Sequence, residues 1–262
     1  MKKTITILLV LALIFSLSAC TRRSESELIV GATIVPHSVL LNLIREDLAA
    51  QGINLRVVEF TDFVQPNMAL MAGDLDANYF QHIPYLETNE AWAAALVPVF
   101  GVHYEPFGLY STRHSNVNSL PNGAAIAIPN DPTNGGRALL LLQAHGLITL
   151  RPDAGLRATP LDIIFNPRNF RFHQLEAAQL PRSLQDVDAA TINGNFALQA
   201  GLNPLRDSLI IEGPDSPYVN YVVVQRGNEN DPRIAALRNA LLSDKVRDFI
   251  LRTYDGGVAP VF

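Results

Sequence analysis

The sequence predicts an α/β protein with parallel strand layers, because short apolar runs typical of strands alternate with segments that have helical spacing. The run Leu28–Ile34 (LIVGATI) is typical of a buried strand. Apolar residues over 39–48 then recur on one helical face, and Gly52 ends that helix. A second strand at Leu55–Phe60 and a short helix at Val64–Ala72 complete a β-α-β-α order.

The rest of the chain continues this alternation. Further strands are predicted at Ala95–Val102, Phe107–Ser111, Ala124–Ile128, Phe170–Leu175, Asp188–Ile192 and Tyr218–Gln225. The tight turn Pro129–Arg137 opens a helix that runs to Ala144, and Asn195–Ala200 starts another. Asp231-Pro232 caps a last long helix, since proline favours the first helical position.

The amino-terminal segment is typical of an exported, lipid-modified protein. Residues 1–19 combine a positive start at Lys2 and Lys3 with an apolar core, Ile5–Leu17, that is too short to span a bilayer comfortably. The run Leu-Ser-Ala-Cys that ends at Cys20 looks like a lipobox, in which cleavage precedes the cysteine and its thiol carries the lipid. The alternative is an ordinary secretory signal with a chance cysteine.

Composition narrows what the mature chain can be. Cys20 is the only cysteine, so disulfides, thiolate catalysis and cysteine-ligated zinc are excluded for the folded part. Residues 20–27 are predicted to form a short polar tether, and no second apolar run approaches 18 residues. The net charge of −5 gives no basic surface for nucleic acid, so no nucleic-acid partner is expected.

Recognised motifs for catalysis and metal binding are missing from the sequence. No two of the six histidines stand at i, i+4 with an acid beside them, so no dedicated metal site is expected. A G-x-S-x-G elbow is absent, and the run Gly135-Gly136-Arg137 lacks the spacing and the lysine of a P-loop. We therefore expect neither an enzyme nor a bound cofactor.

Three polar residues are suited to holding the charged ends of an amino acid. Arg137 is placed in the first turn of its helix, where the helix dipole disfavours a cation, and a carboxylate ligand would resolve that conflict. Asn193 follows a predicted strand and Asn220 stands at the start of another, so both can reach the crevice at a sheet edge. The structural alternatives are a solvated arginine and two turn asparagines.

Aromatic and amide side chains are concentrated in the run Asn78–Tyr85 (NYFQHIPY). Phe80 and His82 lie in that run, and Phe63 and Tyr104 add rings from other loops. Aromatic rings pack well against a thioether, although they would suit another apolar side chain almost as well. For any single ring, packing in an ordinary core is the alternative.

Together these motifs resemble the methionine-binding lipoproteins of bacterial ABC importers, the NlpA/MetQ family, over essentially the whole mature chain. The segments that carry the resemblance are DANYFQHIPYL (Asp76–Leu86), PNDPTNGGRALLLLQ (Pro129–Gln143), LEAAQLPRSLQDVDAATIN (Leu175–Asn193) and SPYVNYVVV (Ser216–Val224). Phe63 stands where tyrosine is expected in the family, and Gly135 where leucine is frequent. The lipobox at Cys20 is consistent with such a lipoprotein.

The resemblance implies a two-lobed periplasmic-binding-protein fold, type II-like, with the ligand in the cleft between two α/β lobes. Lobe one is expected to comprise residues 28–109 and 223–262, and lobe two residues 110–222. Residues 1–19 would then be the signal peptide, and residues 20–27 the lipidated tether.

The resemblance also implies roles for individual residues. Arg137 is expected to hold the ligand carboxylate, while Asn193 and Asn220 share the polar backbone of the amino acid. The walls of the side-chain pocket are expected to be Phe63, Phe80, His82 and Tyr104.

The implied function is that of a lipid-anchored substrate-binding protein that delivers L-methionine, or a close analogue, to an ABC permease and its ATPase. Lipid on Cys20 would hold the protein on the outer side of the cytoplasmic membrane. The alternatives are a methionyl dipeptide or another apolar amino acid as the ligand, an exported hydrolase, and a surface interaction protein.

Overall fold

The computed structural model describes residues 26–213 and 216–262. The predicted signal peptide, the lipobox at Cys20 and all but the end of the predicted tether lie outside these residues. The described strands are β1 Glu27–Thr33, β2 Asn54–Phe60, β3 Ala77–His82, β4 Leu96–Tyr104, β5 Gly108–Tyr110, β6 Ala125–Pro129, β7 Thr149–Leu150, β8 Ile163–Phe165, β9 Arg171–Leu175, β10 Ala189–Ile192, β11 Ile210–Ile211, β12 Val219–Gln225 and β13 Ala259–Pro260.

Helices connect most of these strands. The described α-helices are Val39–Leu43, Arg45–Ala49, Gln65–Ala72, Ile83–Leu86, Glu90–Ala95, Pro132–Ala144, Leu180–Ser183, Gly194–Gln199, Pro204–Asp207, Pro232–Leu241 and Asp244–Thr253. Shorter turns of π- or 3₁₀-helix occur at Ile34–Ser38, Val117–Ser119, Gly155–Arg157, Pro160–Asp162 and Ala177–Gln179.

Lobe one is built on a mixed sheet with the strand order β13-β4-β12-β3-β1-β2. β1 runs parallel to β2 and β3, whereas β12 runs antiparallel to both β3 and β4. Leu40 from the first helix and Leu237 and Ile250 from the last two helices are buried in the same core as β1. The carboxyl-terminal helices therefore belong to lobe one.

Lobe two is built on a second sheet with the strand order β11-β5-β10-β6-β9. β6 runs parallel to β9 and β10, while β5 runs antiparallel to β10. The helix Pro132–Ala144 packs on this sheet through Leu139 and Leu142, in a core separate from that of lobe one. Two sheets with their own cores confirm the predicted two-lobed α/β architecture, although each sheet is mixed and not purely parallel.

The described strands change from one sheet to the other at two points along the chain. β4 ends at Tyr104 in the first sheet and β5 begins at Gly108 in the second; β11 then ends at Ile211, and β12 begins at Val219 in the first sheet. The predicted lobe boundaries, after residues 109 and 222, fall inside β5 and β12. We propose instead that the lobes divide between Tyr104 and Gly108 and between Ile211 and Val219.

The strand directions gather polar residues at the facing edges of the two sheets. Asn220 at the start of β12 pairs in register with His82 at the end of β3 and with His103 near the end of β4. The amino end of an antiparallel strand therefore lies beside the carboxyl ends of its neighbours. In lobe two, Asn193 directly follows β10.

Two predicted helices are each divided in the structure. The helix predicted from Val39 to Gly52 is interrupted at Ile44, where the backbone leaves helical values (φ −98°, ψ 3°). The last predicted helix is interrupted at Ser243, whose backbone is extended and whose hydroxyl accepts a hydrogen bond from the Val246 N–H. A serine N-cap explains why a second helix starts there.

β3 was not predicted from the sequence, although it lies near the middle of the first sheet. All of its residues are buried, including Asn78 and Gln81. Both amides donate to Oδ1 of buried Asn67, at 2.8 and 2.7 Å. Buried amides that satisfy one another remove the apolar–polar alternation by which a strand is usually predicted.

Candidate ligand-binding site

Side chains from both lobes enclose a pocket at these facing edges. Its lining residues are Phe63, Phe80, Gln81, His82, Tyr85, Glu105, Asn134, Arg137, Asn193, Gly194, Asn195 and Asn220. Six of the seven ligand-binding residues predicted from the sequence are in this lining. Tyr104 is the exception: its hydroxyl donates to Glu212 at 2.8 Å instead. Successive residues of a strand face opposite sides, so His103 and Tyr104 point different ways from the end of β4.

A chain of amides on the lobe-two side of the pocket has a fixed hydrogen-bond direction. The Asp131 carboxylate caps the helix Pro132–Ala144 and accepts from both the backbone N–H and the side-chain Nδ2 of Asn134. Asn134 Oδ1 therefore faces Asn193 and accepts from its Nδ2 at 2.8 Å. This leaves Asn193 Oδ1 as the end of the chain. Among the described residues that buried oxygen has no hydrogen-bond donor.

His82 continues the same chain from lobe one. Its Nδ1 accepts from the backbone N–H of Tyr85 at 3.1 Å, so the ring proton is on Nε2, which donates to Asn134 Oδ1 at 3.3 Å. Burial, together with the nearby charge of Arg137, lowers the pKa of His82 to about 3. His82 is therefore a neutral donor at physiological pH, and it joins the two lobes across the pocket.

Arg137 lies deeper in its helix than the sequence suggested. The helix begins at Pro132, so Arg137 is its sixth residue and not part of the first turn. The helix dipole therefore disfavours the Arg137 cation only weakly. The positive charge is instead balanced by a carboxylate of the protein, Glu212. Arg137 Nε donates to both carboxylate oxygens of Glu212 at 3.1 Å, and Nη2 donates to the carbonyl of Glu105 at 3.1 Å.

Aromatic rings hold the Arg137 guanidinium in place. Its central carbon lies 4.1 Å from the ring centroid of Tyr218 and 4.8 Å from that of Phe107. Arg137 thus lines the pocket as predicted, but its Nε–Nη2 edge is already engaged by Glu212. A ligand carboxylate would have to approach by another edge of the guanidinium.

A buried carboxylate, Glu105, lies in the first crossing between the lobes. His103 Nε2 donates to Glu105 Oε1 at 2.8 Å, and His37 Nε2 lies 3.5 Å from the same oxygen. The backbone N–H of Asn195 in lobe two also donates to this carboxylate. Burial raises the pKa of Glu105 to about 7, against the opposing influence of His37 and Arg137.

Asn220 joins this network to the pocket lining. Its Oδ1 accepts from His37 Nε2 at 3.2 Å, and His37 Nδ1 then accepts from the Thr33 hydroxyl at 2.8 Å. Burial lowers the pKa of His37 to about 4 and that of His103 to about 3. Both rings are therefore neutral donors, and Asn220 is held with its oxygen toward His37.

The cluster of His37, His103 and Glu105 was not anticipated. Its ligand-type atoms lie within 4.8 Å of one another, a composition that can hold a metal ion. In the structure His103 donates to Glu105, while the ring nitrogens of His37 hydrogen-bond with Asn220 and Thr33. Spacing along the chain could not reveal it, because His37 is far from the other two residues in sequence.

The apolar wall of the pocket is made of rings from lobe one, and Phe196 of lobe two packs against one of them. Phe63 lies 6.0 Å from Phe80, 5.9 Å from Tyr85 and 4.9 Å from Phe196 of lobe two, measured between ring centroids. The Tyr85 hydroxyl donates to the Phe63 carbonyl at 2.9 Å. These rings give the pocket one apolar side.

Two further lining residues had signals in the sequence. Asn134 stands three positions before Arg137, which places both on one face of their helix. Glu105 is the one acidic residue in the apolar stretch that runs from Leu96 to Leu109.

Comparison with known proteins places this architecture. The model of the family described as NlpA lipoprotein matches residues 28–262. The chain belongs to the NlpA lipoprotein family. This confirms the resemblance inferred from the four sequence segments.

Relatives in the NlpA family match over most of their length. The membrane lipoprotein TpN32 of Treponema pallidum is 44% identical over 263 residues, 98% of each chain. The D-methionine-binding lipoprotein MetQ of Escherichia coli K12 is 42% identical over 209 residues, which are 79% of this chain and 77% of that protein. A nutrient-binding protein from Burkholderia cenocepacia, solved bound to methionine, is 41% identical with a TM-score of 0.87, covering 90% of this chain and 100% of the other.

Across residues 26–213 and 216–262, no helix has both the length and the apolar character needed to cross a bilayer.

Proposed function

We propose that this chain is the lipid-anchored substrate-binding protein of an ABC importer, and that it binds L-methionine or a close analogue between its lobes. The proposal is supported by family membership and by relatives whose names include methionine. It is supported equally by a pocket that combines a guanidinium, several amides and an aromatic wall. The chain makes and breaks no bond in this function; closure of the lobes on the ligand is its mechanism.

The buried Oδ1 of Asn193 is the observation that carries the proposal. A buried acceptor without a donor costs about 1–3 kcal/mol. A ligand ammonium group can donate a hydrogen bond to this oxygen. The Asn193 amide cannot flip to remove the unpaired acceptor, because its Nδ2 already donates to Asn134 Oδ1. An amino acid with a free α-ammonium therefore fits the amide chain, with its carboxylate toward Arg137.

The side-chain specificity follows from the aromatic wall. A thioether against aromatic rings gains about 0.3–1.5 kcal/mol per contact. Valine and isoleucine are branched and stiff at Cβ, so they fit a gap between rings poorly. We expect the affinity order methionine, then leucine, then the β-branched residues, with a gap to leucine of about 1–3 kcal/mol.

A thermal-shift panel tests the ligand. The full-length chain in detergent is expected to be stabilised by methionine, because a ligand that binds only the folded state raises its stability by mass action. L- and D-methionine, methionyl dipeptides, leucine and isoleucine are the other arms. If leucine or a dipeptide shifts the transition and neither enantiomer of methionine does, the methionine assignment is wrong.

Substitution of Asn193 by leucine tests the site itself. Asn193→Leu has similar volume and removes the acceptor, so the affinity for methionine should fall by about 1–3 kcal/mol. Asn228→Leu, an exchange of the same type at a residue outside the pocket lining, is the control and should bind as the parent does. Equal affinities for Asn193→Leu and the parent would remove Asn193 from the site.

The membrane anchor is proposed to be lipid on Cys20. Cys20→Ser should release the protein from membranes, because it removes the sole thiol in the sequence. Fractionation of cells that express each form measures this. If the variant sediments with membranes as the parent does, the anchor is not on Cys20.

Position on the outer face of the cytoplasmic membrane, and delivery to a permease and its ATPase, complete the proposal. Proteoliposomes that contain the cognate permease and ATPase should hydrolyse ATP faster when the liganded chain is added. The Arg137→Ala chain, which lacks the proposed contact with the ligand carboxylate, is the control. Equal hydrolysis with both chains would argue against delivery.

A further inference from the structure

We propose that Glu212 makes this pocket select zwitterionic amino acids over anions, because its carboxylate balances the charge of Arg137 from within the protein. This inference rests on the proposed function, in that it assumes an amino-acid ligand. Glu212 is absent from the pocket lining, and it acts through Arg137 as a positioning and specificity residue.

The geometry of the pair supports a fixed charge balance. Arg137 Nε donates to both oxygens of Glu212 at 3.1 Å, and Nη2 completes the bidentate contact. The Arg137 side chain is only 5% exposed and that of Glu212 only 17%. A close ion pair with this little solvent screening is much stronger than one at the surface.

A second contact prevents Glu212 from turning away. The Tyr104 hydroxyl donates to Glu212 Oε2 at 2.8 Å and also lies 3.2 Å from the carbonyl of Gly213. Tyr104 ends β4 in lobe one, Arg137 lies on a lobe-two helix, and Glu212 stands in the crossing between them. Three elements therefore hold the carboxylate on the guanidinium.

The charges around the pocket explain why this matters for specificity. Among the described lining residues Arg137 is the only arginine or lysine, and His82 is neutral. Glu105 in the lining and Asp131 behind Asn134 are acidic. With Glu212 on Arg137, an anion finds no uncompensated positive charge. A zwitterion brings an ammonium that offsets its own carboxylate, so it is accepted.

The test varies ligand charge on a constant side chain. Methionine, N-acetylmethionine (an anion) and methioninamide (a cation) are titrated at pH 7 into the full-length chain in detergent. For the unsubstituted chain we expect methionine to bind best and methioninamide to bind more tightly than N-acetylmethionine. In Glu212→Gln the ratio of the affinity for N-acetylmethionine to the affinity for methionine should rise by about tenfold or more, since the charge of Arg137 is no longer balanced.

Two controls separate this charge effect from loss of structure. Glu176→Gln neutralises an exposed carboxylate near the mouth of the cleft without touching Arg137, and should leave the ratio unchanged. Tyr104→Phe keeps the charge of Glu212 and should change the ratio much less than Glu212→Gln.

The outcomes are distinct. If Glu212→Gln weakens all three ligands by the same factor, Glu212 is merely structural and the inference is overturned. Should that variant not fold, the unsubstituted chain still decides, because tighter binding of N-acetylmethionine than of methioninamide would contradict a balanced Arg137. A chain that binds no methionine at all refutes the proposed function instead.

Discussion

The two polar sides of the pocket satisfy their groups in different ways. On the amide side, a hydrogen-bond chain from Asp131 through Asn134 ends in Asn193 Oδ1, an acceptor that receives no donor from the described residues. On the charged side, Arg137 and Glu212 pair with each other. The charged side is therefore preorganised by the protein itself, whereas the amide side leaves an acceptor that a ligand can satisfy.

Removal of Arg137 should have the largest effect. Arg137→Ala leaves Glu212 without its cation, and breaking a largely buried ion pair from one side should lower the free energy of unfolding by about 2–4 kcal/mol. Methionine binding should be weakened by roughly 2–5 kcal/mol as well. Urea unfolding measures the stability and calorimetry the binding.

Arg252→Ala is the matched control, because that side chain is 73% exposed. It should change stability by no more than about 0.5 kcal/mol. If Arg137→Ala is as stable as this control, the charged side does not preorganise the pocket.

Glu105 should make the charged side sensitive to pH. Its pKa in the folded state is about 7, above the ordinary value of 4.5. Between these two pH values the Glu105 carboxyl is therefore protonated in the folded state and ionised in the unfolded state. Its contribution to stability is therefore present at low pH and lost as the pH rises through 7. Between pH 5 and 8, the free energy of unfolding of Glu105→Gln should therefore rise relative to that of the parent chain by an amount on the order of 1–3 kcal/mol.

Urea unfolding of both chains at the two pH values measures this gain. His37 and His103 titrate in both chains, so to first order their contributions cancel in the difference. A difference that does not change with pH would mean that Glu105 remains ionised throughout.

A substitution that disturbs the close packing between the lobes should have an intermediate effect on methionine affinity. A Cβ at Gly194 would lie 2.6 Å from Glu105 Cβ and 2.8 Å from its Oε2. Gly194→Ala should therefore hinder the approach of the lobes and reduce methionine affinity by about tenfold. Gly213→Ala is the control, since no atom of the described residues lies within 4 Å of its Cβ position. Equal calorimetric affinities would show that lobe closure tolerates the added methyl group.

The sequence was enough for the architecture and for six of the twelve residues that line the pocket. Asn193 and Asn220 could be placed because each stands at the end of a recognisable strand, and strand ends in α/β sheets meet at the cleft. Arg137 could be placed at the pocket, but its partner could not. Glu212 is far from it in sequence, and only the second crossing brings the two together.

Three other features could not be predicted from the sequence, because each depends on contacts between distant segments or on strand register. The polar residues of β3 are buried because they bond to Asn67 of a different element, so the strand shows no alternation. Tyr104 was expected in the pocket from its aromatic ring and from the family resemblance, whereas the side of a strand that it faces depends on register. The His37–His103–Glu105 cluster depends on two segments that meet only in the folded lobe.

The smallest effect is expected from Tyr85→Phe, which tests whether the backbone or the phenol of Tyr85 orients the hydrogen bonds of His82 and the pocket amides. The backbone N–H of Tyr85, not its phenol, fixes the proton of His82 on Nε2. Tyr85→Phe removes only the hydrogen bond to the Phe63 carbonyl, so it should lower unfolding free energy by about 0.5–1.5 kcal/mol. Methionine affinity should change less than about threefold, because the ring and the amide chain are retained. Calorimetry beside urea unfolding measures both quantities, and a large loss of affinity with unchanged stability would show that the phenol itself contacts the ligand.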